Sequence, residues 1–245
     1  MDNRWLGSFF IAIAVVVAAF QFSGAWKKSH PTKEFSISVT GLASQDFESD
    51  LIVWNSSYSR TAPAMKDAYE QLKHDAGIIK AYIKSKGVND NEVVFSSVDI
   101  QRNYKSVRND KGIELSQEFT GYTLTQSVKI ESHDIDKIEQ LSREVTELID
   151  QGVELYSRVP EYYYTKLADL KIKMLAAATA DARTRAEQIA TNAKSTLGKL
   201  RDASMGIFQI TGENSDEGFE SGGAFNTNSK MKTASITVRA EFTLE

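Results

Sequence analysis

The sequence contains no cysteine, only three prolines and only three histidines in 245 residues. Without thiols there is no disulfide, no cysteine nucleophile and no thiolate metal site, so packing and hydrogen bonds alone must hold the chain. Imidazole chemistry is confined to His30, His74 and His133, and their spacing sets no two of them side by side as ligands. A basic excess is missing too: 29 Lys and Arg against 33 Asp and Glu give a formal charge of -4, which leaves no electrostatic footprint for nucleic acid. No serine sits in Gly-x-Ser-x-Gly, and no Gly-x-Gly-x-x-Gly or phosphate-cradling loop occurs. What remains, 41% hydrophobic and 25% charged, is the composition of a globular protein with a packed core.

The one long apolar run lies at the N-terminus. From Leu6 to Phe22 the chain is almost continuously apolar, with Arg4 before it and Lys27-Lys28 after it. Extended to Trp26, this segment spans about 30 Å as a helix, close to the thickness of a bilayer core. Trp5 and Trp26 stand where interfacial aromatics are common. Two readings follow. A cleaved signal peptide would use Ser23-Gly24-Ala25 as its small-residue site. An uncleaved anchor fits the length better, because a signal peptide has an apolar region of about 7–15 residues. Residues 1–26 are therefore read as a signal anchor or transmembrane helix, 27–33 as a linker around Pro31, and 34–245 as the folded body.

The body is read from its periodicity. Phe35-Ser36-Ile37-Ser38-Val39-Thr40 alternates like a half-buried strand, and Leu51 to Tyr58 gives a second strand, paired with the first across a turn near Ser44 to Glu48. Thr61 caps a helix to about Ser85, with Pro63 in its first turn and Met65, Ala68, Leu72, Ala76, Ile79 and Ile83 as its buried stripe. Strand character returns over Glu92 to Tyr104 and Glu114 to Glu131, with Asn109-Asp110-Lys111-Gly112 as the turn between them. Asp134 caps a second helix with Ile135, Ile138, Leu141, Val145 and Leu148 inward and Gly152 beyond its end.

Val153 to Val159 is a short strand, broken by Pro160 before Tyr162-Tyr163-Tyr164, an aromatic run suited to strand-to-helix packing. The longest helical signal follows, from Tyr164 to Leu200. Leu167, Leu170, Met174, Ala178, Ala182, Ile189, Ala193 and Leu200 supply its apolar face, and Asp181–Arg185 and Arg183–Glu187 are spaced to meet on its wet face. Gly206 to Ile210 and Ala234 to Leu244 close the body as strands.

Between them, residues 212–231 are rich in Gly, Ser, Asn and acids and read as a flexible loop. Its Glu213, Asp216, Glu217 and Glu220 lack the ligand spacing of an EF-hand, while Phe219 and Phe225 can dock on a neighbour or tuck inward. The order ββαββαβαββ predicts an α+β fold, a mainly antiparallel sheet packed by three helices and preceded by the N-terminal transmembrane helix. No catalytic, cofactor-binding or metal-binding residue is assigned.

Several blocks resemble one family. Ser38-Val39-Thr40-Gly41, Gly121-Tyr122-Thr123-Leu124, Ile149-Asp150-Gln151-Gly152-Val153, the run Ala180 to Ala190 with Leu197-Gly198-Lys199-Leu200, and the closing alternation are similar to the SIMPL-domain family of bacterial cell-envelope proteins. Ser44 to Glu48 departs from its pattern, standing where the family has a Gly- and Pro-Asp-containing turn. The resemblance implies a non-enzymatic protein with the body in the periplasm and the N-terminal helix in the inner membrane. It also implies self-association into a homo-oligomer and a part in envelope integrity or oxidative-stress tolerance. It brings no cofactor and no catalytic residues. The alternative is a periplasmic binding protein for a small ligand or peptide, secreted after cleavage of the leader. A hydrolase using paired carboxylates would need a cleft that spacing cannot reveal.

Overall fold

The computed structural model describes residues 35–218 and 220–245. The expected anchor, the linker, His30 and Phe219 lie outside the described residues. The described chain forms ten strands and three α-helices: β1 (Ser36–Glu48), β2 (Leu51–Ala62), α1 (Met65–Ser85), β3 (Val93–Phe95), β4 (Asp99–Arg108), β5 (Glu114–Ser132), α2 (Ile135–Glu144), β6 (Leu155–Ser157), β7 (Glu161–Tyr163), α3 (Leu167–Asn192), β8 (Leu197–Met205), β9 (Gln209–Gly212) and β10 (Met231–Leu244). The class is α+β with three helices, as expected, and the strands outnumber those read from the sequence.

β2 and β5 form the axis of the larger sheet. They pair antiparallel from Ile52 opposite Ser132 to Ala62 opposite Tyr122. β3 and β4 pair β5 antiparallel, and β6 and β7 do the same on β2. Ile52, Trp54 and Tyr58 alternate along β2, and Leu124, Val128 and Ile130 along β5, so one face of the ladder is apolar. Helices α1 and α2 cover it with Ala68, Leu72, Ile79 and Ile83, and with Ile135, Ile138 and Leu141. Trp54 is wholly buried yet keeps its indole N–H bonded to the Ser157 hydroxyl at 3.0 Å.

A second sheet has the order β1-β10-β8, with β9 antiparallel to β10. The buried stripe of α3 is a strict four-residue series, Leu170, Met174, Ala178, Ala182, Ala186 and Ala190. The described residues divide into two compact units, one of residues 41–181 and 205–238, the other of residues 35–40, 182–204 and 239–245. In the first, Leu170, Met174 and Ala178 pack with Ala43, Phe47, Ile210, Ala234, Ile236 and Val238. In the second, Ala182 and Ala186 pack with Val39, Ala240 and Phe242. Alanine along the helix lets backbone come close to a sheet while larger strand residues fill the space.

Several local expectations are corrected. β1 and β2 do not pair with each other: β1 lies beside β10 and β2 beside β5, because β1 runs on to Glu48 where a turn was expected. β2 likewise continues through Thr61, whose hydroxyl bonds Thr123 at 2.8 Å, so α1 starts at Met65 after Ala64 with no side-chain cap. Met65 is exposed. The long helix stops at Asn192, and Leu197 to Leu200 belong to β8. Ile189, expected inward, is half exposed. The Tyr162-Tyr163 part of the aromatic run is strand, with Ile52 opposite Tyr162. Asp134 does cap α2, accepting the Lys137 N–H, and Gly152 takes the left-handed φ of 76° that ends the following 3-10 turn.

Gly121 is the tightest point of the axis. Its φ is +142°, and a Cβ there would lie 2.5 Å from the Ala62 carbonyl oxygen, at the place where β2 ends. Gly121→Ala should therefore lower unfolding stability by about 2–3 kcal/mol. Urea titration of the two proteins checks this, and equal midpoints would refute the close approach.

Candidate interaction surface

β5 is longer than its main partner. β2 ends opposite Tyr122, while β5 begins eight residues earlier at Glu114. Among the described residues those pair only with β4, so Asn103–Arg108 and Glu114–Gly121 form a two-stranded arm closed by the Asn109–Ile113 turn. The turn follows the expected chemistry: the Asn109 side chain accepts the N–H groups of Lys111 and Ile113, both at 3.0 Å. At about 3.3 Å per residue the arm reaches about 26 Å.

The arm is wet on both sides. Apart from half-buried Asn103 and Asn109 and buried Gly121 at its root, its residues are exposed. Apolar side chains are nonetheless frequent: Tyr104, Val107, Ile113, Leu115 and Phe119 stand in solvent, with Leu115 at 65% and Ile113 at 58% exposure. Tyr104 lies opposite Phe119, and the rings of Tyr104, Phe119 and Tyr122 make an edge-to-face series at 5.7 and 5.1 Å. Two register shifts, at Asn103/Tyr104 and Val107/Arg108, coil the hairpin and leave one regular stretch, Tyr104–Val107 against Ser116–Phe119. An isolated two-stranded hairpin is marginal in water, and an apolar one is a surface made for contact. Alternation over Glu114 to Glu131 pointed to a strand. The arm itself was missed, because only the end of β2 decides which part of β5 is left uncovered.

A second feature is an open polar basin of about 750 Å³. Its lining includes the acids Glu48, Asp50, Asp134 and Asp136, the lysines Lys166 and Lys230, and His133 and Ser49. Lys230 bridges Asp136 at 2.7 Å and Glu48 at 3.1 Å, and these carboxylates hold its ammonium above the usual lysine range. Asp50 accepts the N–H and hydroxyl of Thr165 at 2.7 and 2.8 Å. His133 Nδ1 is 2.5 Å from the Asp50 carbonyl oxygen, an acceptor only, so Nδ1 carries the proton. The Ser49 hydroxyl is buried and has no partner among the described residues. His74 is exposed on α1, away from the basin's lining. Among the described residues no group of three His, Asp or Glu side chains could hold a metal ion.

The 212–231 segment is tied down by side chains. Gln209 accepts the Ala224 N–H at 2.6 Å and donates to the Glu220 carbonyl at 2.9 Å, and Ile210 bridges Phe225. Of the acidic quartet, Glu217 is held by hydrogen bonds within the segment, accepting from the Gly212 N–H at 2.9 Å and the Asn226 amide at 2.5 Å, which lowers its pKa. Phe225 is exposed.

Beneath this segment Lys232 is 2% exposed. Its ammonium donates to the carbonyl oxygens of Asn226 and, at 2.9 Å, Tyr162. Burial pulls its pKa down to about 8, with Glu217 opposing the shift. Lys232 keeps the parity of buried Ala234, Ile236 and Val238, a signal available in the sequence had the strand been started three residues earlier.

These features define an α+β domain that carries a projecting hairpin arm. The chain belongs to the SIMPL family, described as a protein of unknown function (DUF541), which matches residues 37–244. The match runs from within β1 to the last residue of β10. No curated protein matches the chain. The family is not a known enzyme family.

Burial of Lys232 has a pH signature. Between about 8 and the ordinary lysine value of 10.5, the folded chain has shed a proton that the unfolded chain still holds. The unfolded state then binds more protons, so this group makes stability rise with pH across that window. Urea unfolding at a series of pH values should show that rise in the wild type and a flatter profile in Lys232→Met. Parallel profiles would exclude the buried ammonium as its source.

Proposed function

We propose that this chain is a membrane-tethered protein of the bacterial envelope that works by contact, self-associates and performs no chemistry of its own. The arm carries this reading: a lone copy leaves its aromatic series, its aliphatic residues and its strand edges in water. The apolar run Leu6 to Phe22 supports a single inner-membrane span, and the resemblance to cell-envelope proteins is the ground for placing the body in the periplasm. A scaffold at that address supports envelope integrity or tolerance of oxidative stress.

A second reading is favoured by the basin. Its size is that of a small-molecule site, and its four carboxylates against two ammoniums would suit a polar, positively charged ligand or peptide. In that case the leader would be removed and the body released as a periplasmic binding protein.

Fractionation separates the two. The full-length protein should sediment with membranes, retain Met1, become accessible to protease when the outer envelope is opened, and run in detergent at the mass of several copies. A soluble protein that begins at Trp26 and stays monomeric would favour the binding-protein reading. Protein found free in the cytosol would sink both.

A further inference from the structure

The arm has two open edges, and they differ in charge. On β4, no strand among the described residues pairs the edge that faces away from β5. On β5, residues 114–120 lie past the end of β2, so their far edge is unpaired in the same sense. Within the arm, Lys105 and Arg108 make the β4 side basic, and Glu114 and Glu118 make the β5 side acidic. Inside the arm the register already sets Lys105 opposite Glu118 and Arg108 opposite Glu114.

Charged residues on an edge strand normally keep edges apart, because two copies of one edge repel. Here each edge repels itself and attracts the other. Because β4 and β5 run antiparallel, a second copy placed beside the first presents its β5 edge antiparallel to the open β4 edge. The pairing within the arm can then be repeated between copies.

We propose that the occupant of the arm's β4 edge is the β5 edge of a second copy of this chain, added as the next strands of one antiparallel ladder. The contact centres on the regular stretch between the two bulges, with Tyr104–Val107 of one copy along Ser116–Phe119 of the next. Lys105 faces Glu118 across the junction, and Tyr104 and Phe119 extend the ring series from copy to copy. The edge offered differs from the edge received, so the contact is head-to-tail. It leads past the dimer to a ring or an open filament. This inference rests on the self-associating reading above and names the surface that reading leaves open.

Charge reversal tests it in the full-length protein in detergent. Lys105→Glu with Arg108→Glu makes both edges acidic, and Glu114→Lys with Glu118→Lys makes both basic. Each double variant alone should fall to the monomer mass in analytical ultracentrifugation at low salt. An equimolar mixture of the two should recover assemblies larger than a dimer, and the chain carrying all four changes should assemble like the wild type. Circular dichroism of each variant checks that the body stays folded.

If the wild type assembles and neither double variant changes its mass, the ladder is wrong while the scaffold reading stands. A wild type that is monomeric throughout overturns both. A mixture that stops at two copies overturns the head-to-tail geometry.

Discussion

The β2–β5 ladder sets the terms for the rest of the larger unit. Its two strands are unequal, and pairing them from Ile52 and Ser132 to Ala62 and Tyr122 uses all but the first residue of β2 while leaving the start of β5 without a neighbour on that side. Over the shared length, alternation gives one apolar face, and α1 and α2 remove it from water. Beyond the shared length, residues 114–120 of β5 are exposed, with no helix over them among the described residues. Gly121 sits at that boundary, where the Ala62 carbonyl leaves no room for a side chain. The protected body and the exposed arm are thus two portions of the same strand, told apart by where β2 stops.

Buried polar groups fix the geometry that apolar packing leaves loose. Arg60, on β2, grips Asp75, on α1, through two bonds of 2.5 and 3.0 Å, and reaches the Gly152 carbonyl at 2.5 Å. Asp75 is buried, so the fork ties helix, strand and the turn after α2 into one arrangement, with a carboxylate that would be costly to leave unpaired. The Arg60 pKa rises, chiefly through its hydrogen bond to Asp75. Lys232 has a similar role under the Gly-rich segment, although its partners are carbonyl dipoles with no carboxylate in direct contact. Such groups stabilise little in net terms and strongly disfavour alternatives that would strand them without partners.

Regular elements with one buried face were legible in the sequence. The stripes of α1 and α2, the Asp134 cap, the Asn109 turn and the last strand all follow from spacing and from local hydrogen-bond chemistry. Choices made at long range were not. Ser44 to Glu48 carries enough polar residues to look like a turn, yet β10 and its neighbours draw it out as strand. Leu197 to Leu200 continues a helical period on paper, but Lys194 adopts a left-handed φ of 57° and the chain leaves the helix. The arm's character depends on a partner strand more than fifty residues away in sequence, and no window of the sequence contains that fact. The anchor rests on composition alone, because its residues lie outside those the structure describes.

The overhang of β5 also separates reach from foldedness. No residue of the large helix-covered core lies in the stretch from Tyr104 to Thr120, so the hairpin can lengthen or shorten beyond its Gly121 root without disturbing what keeps the body folded. Such drift is quantised. Two residues added to each strand would carry the tip outward with every side chain on its original side, whereas one added to each would turn the aromatic series to the opposite side. The arm's length can therefore change in steps of two residues per strand while the sheet at the root stays as it is.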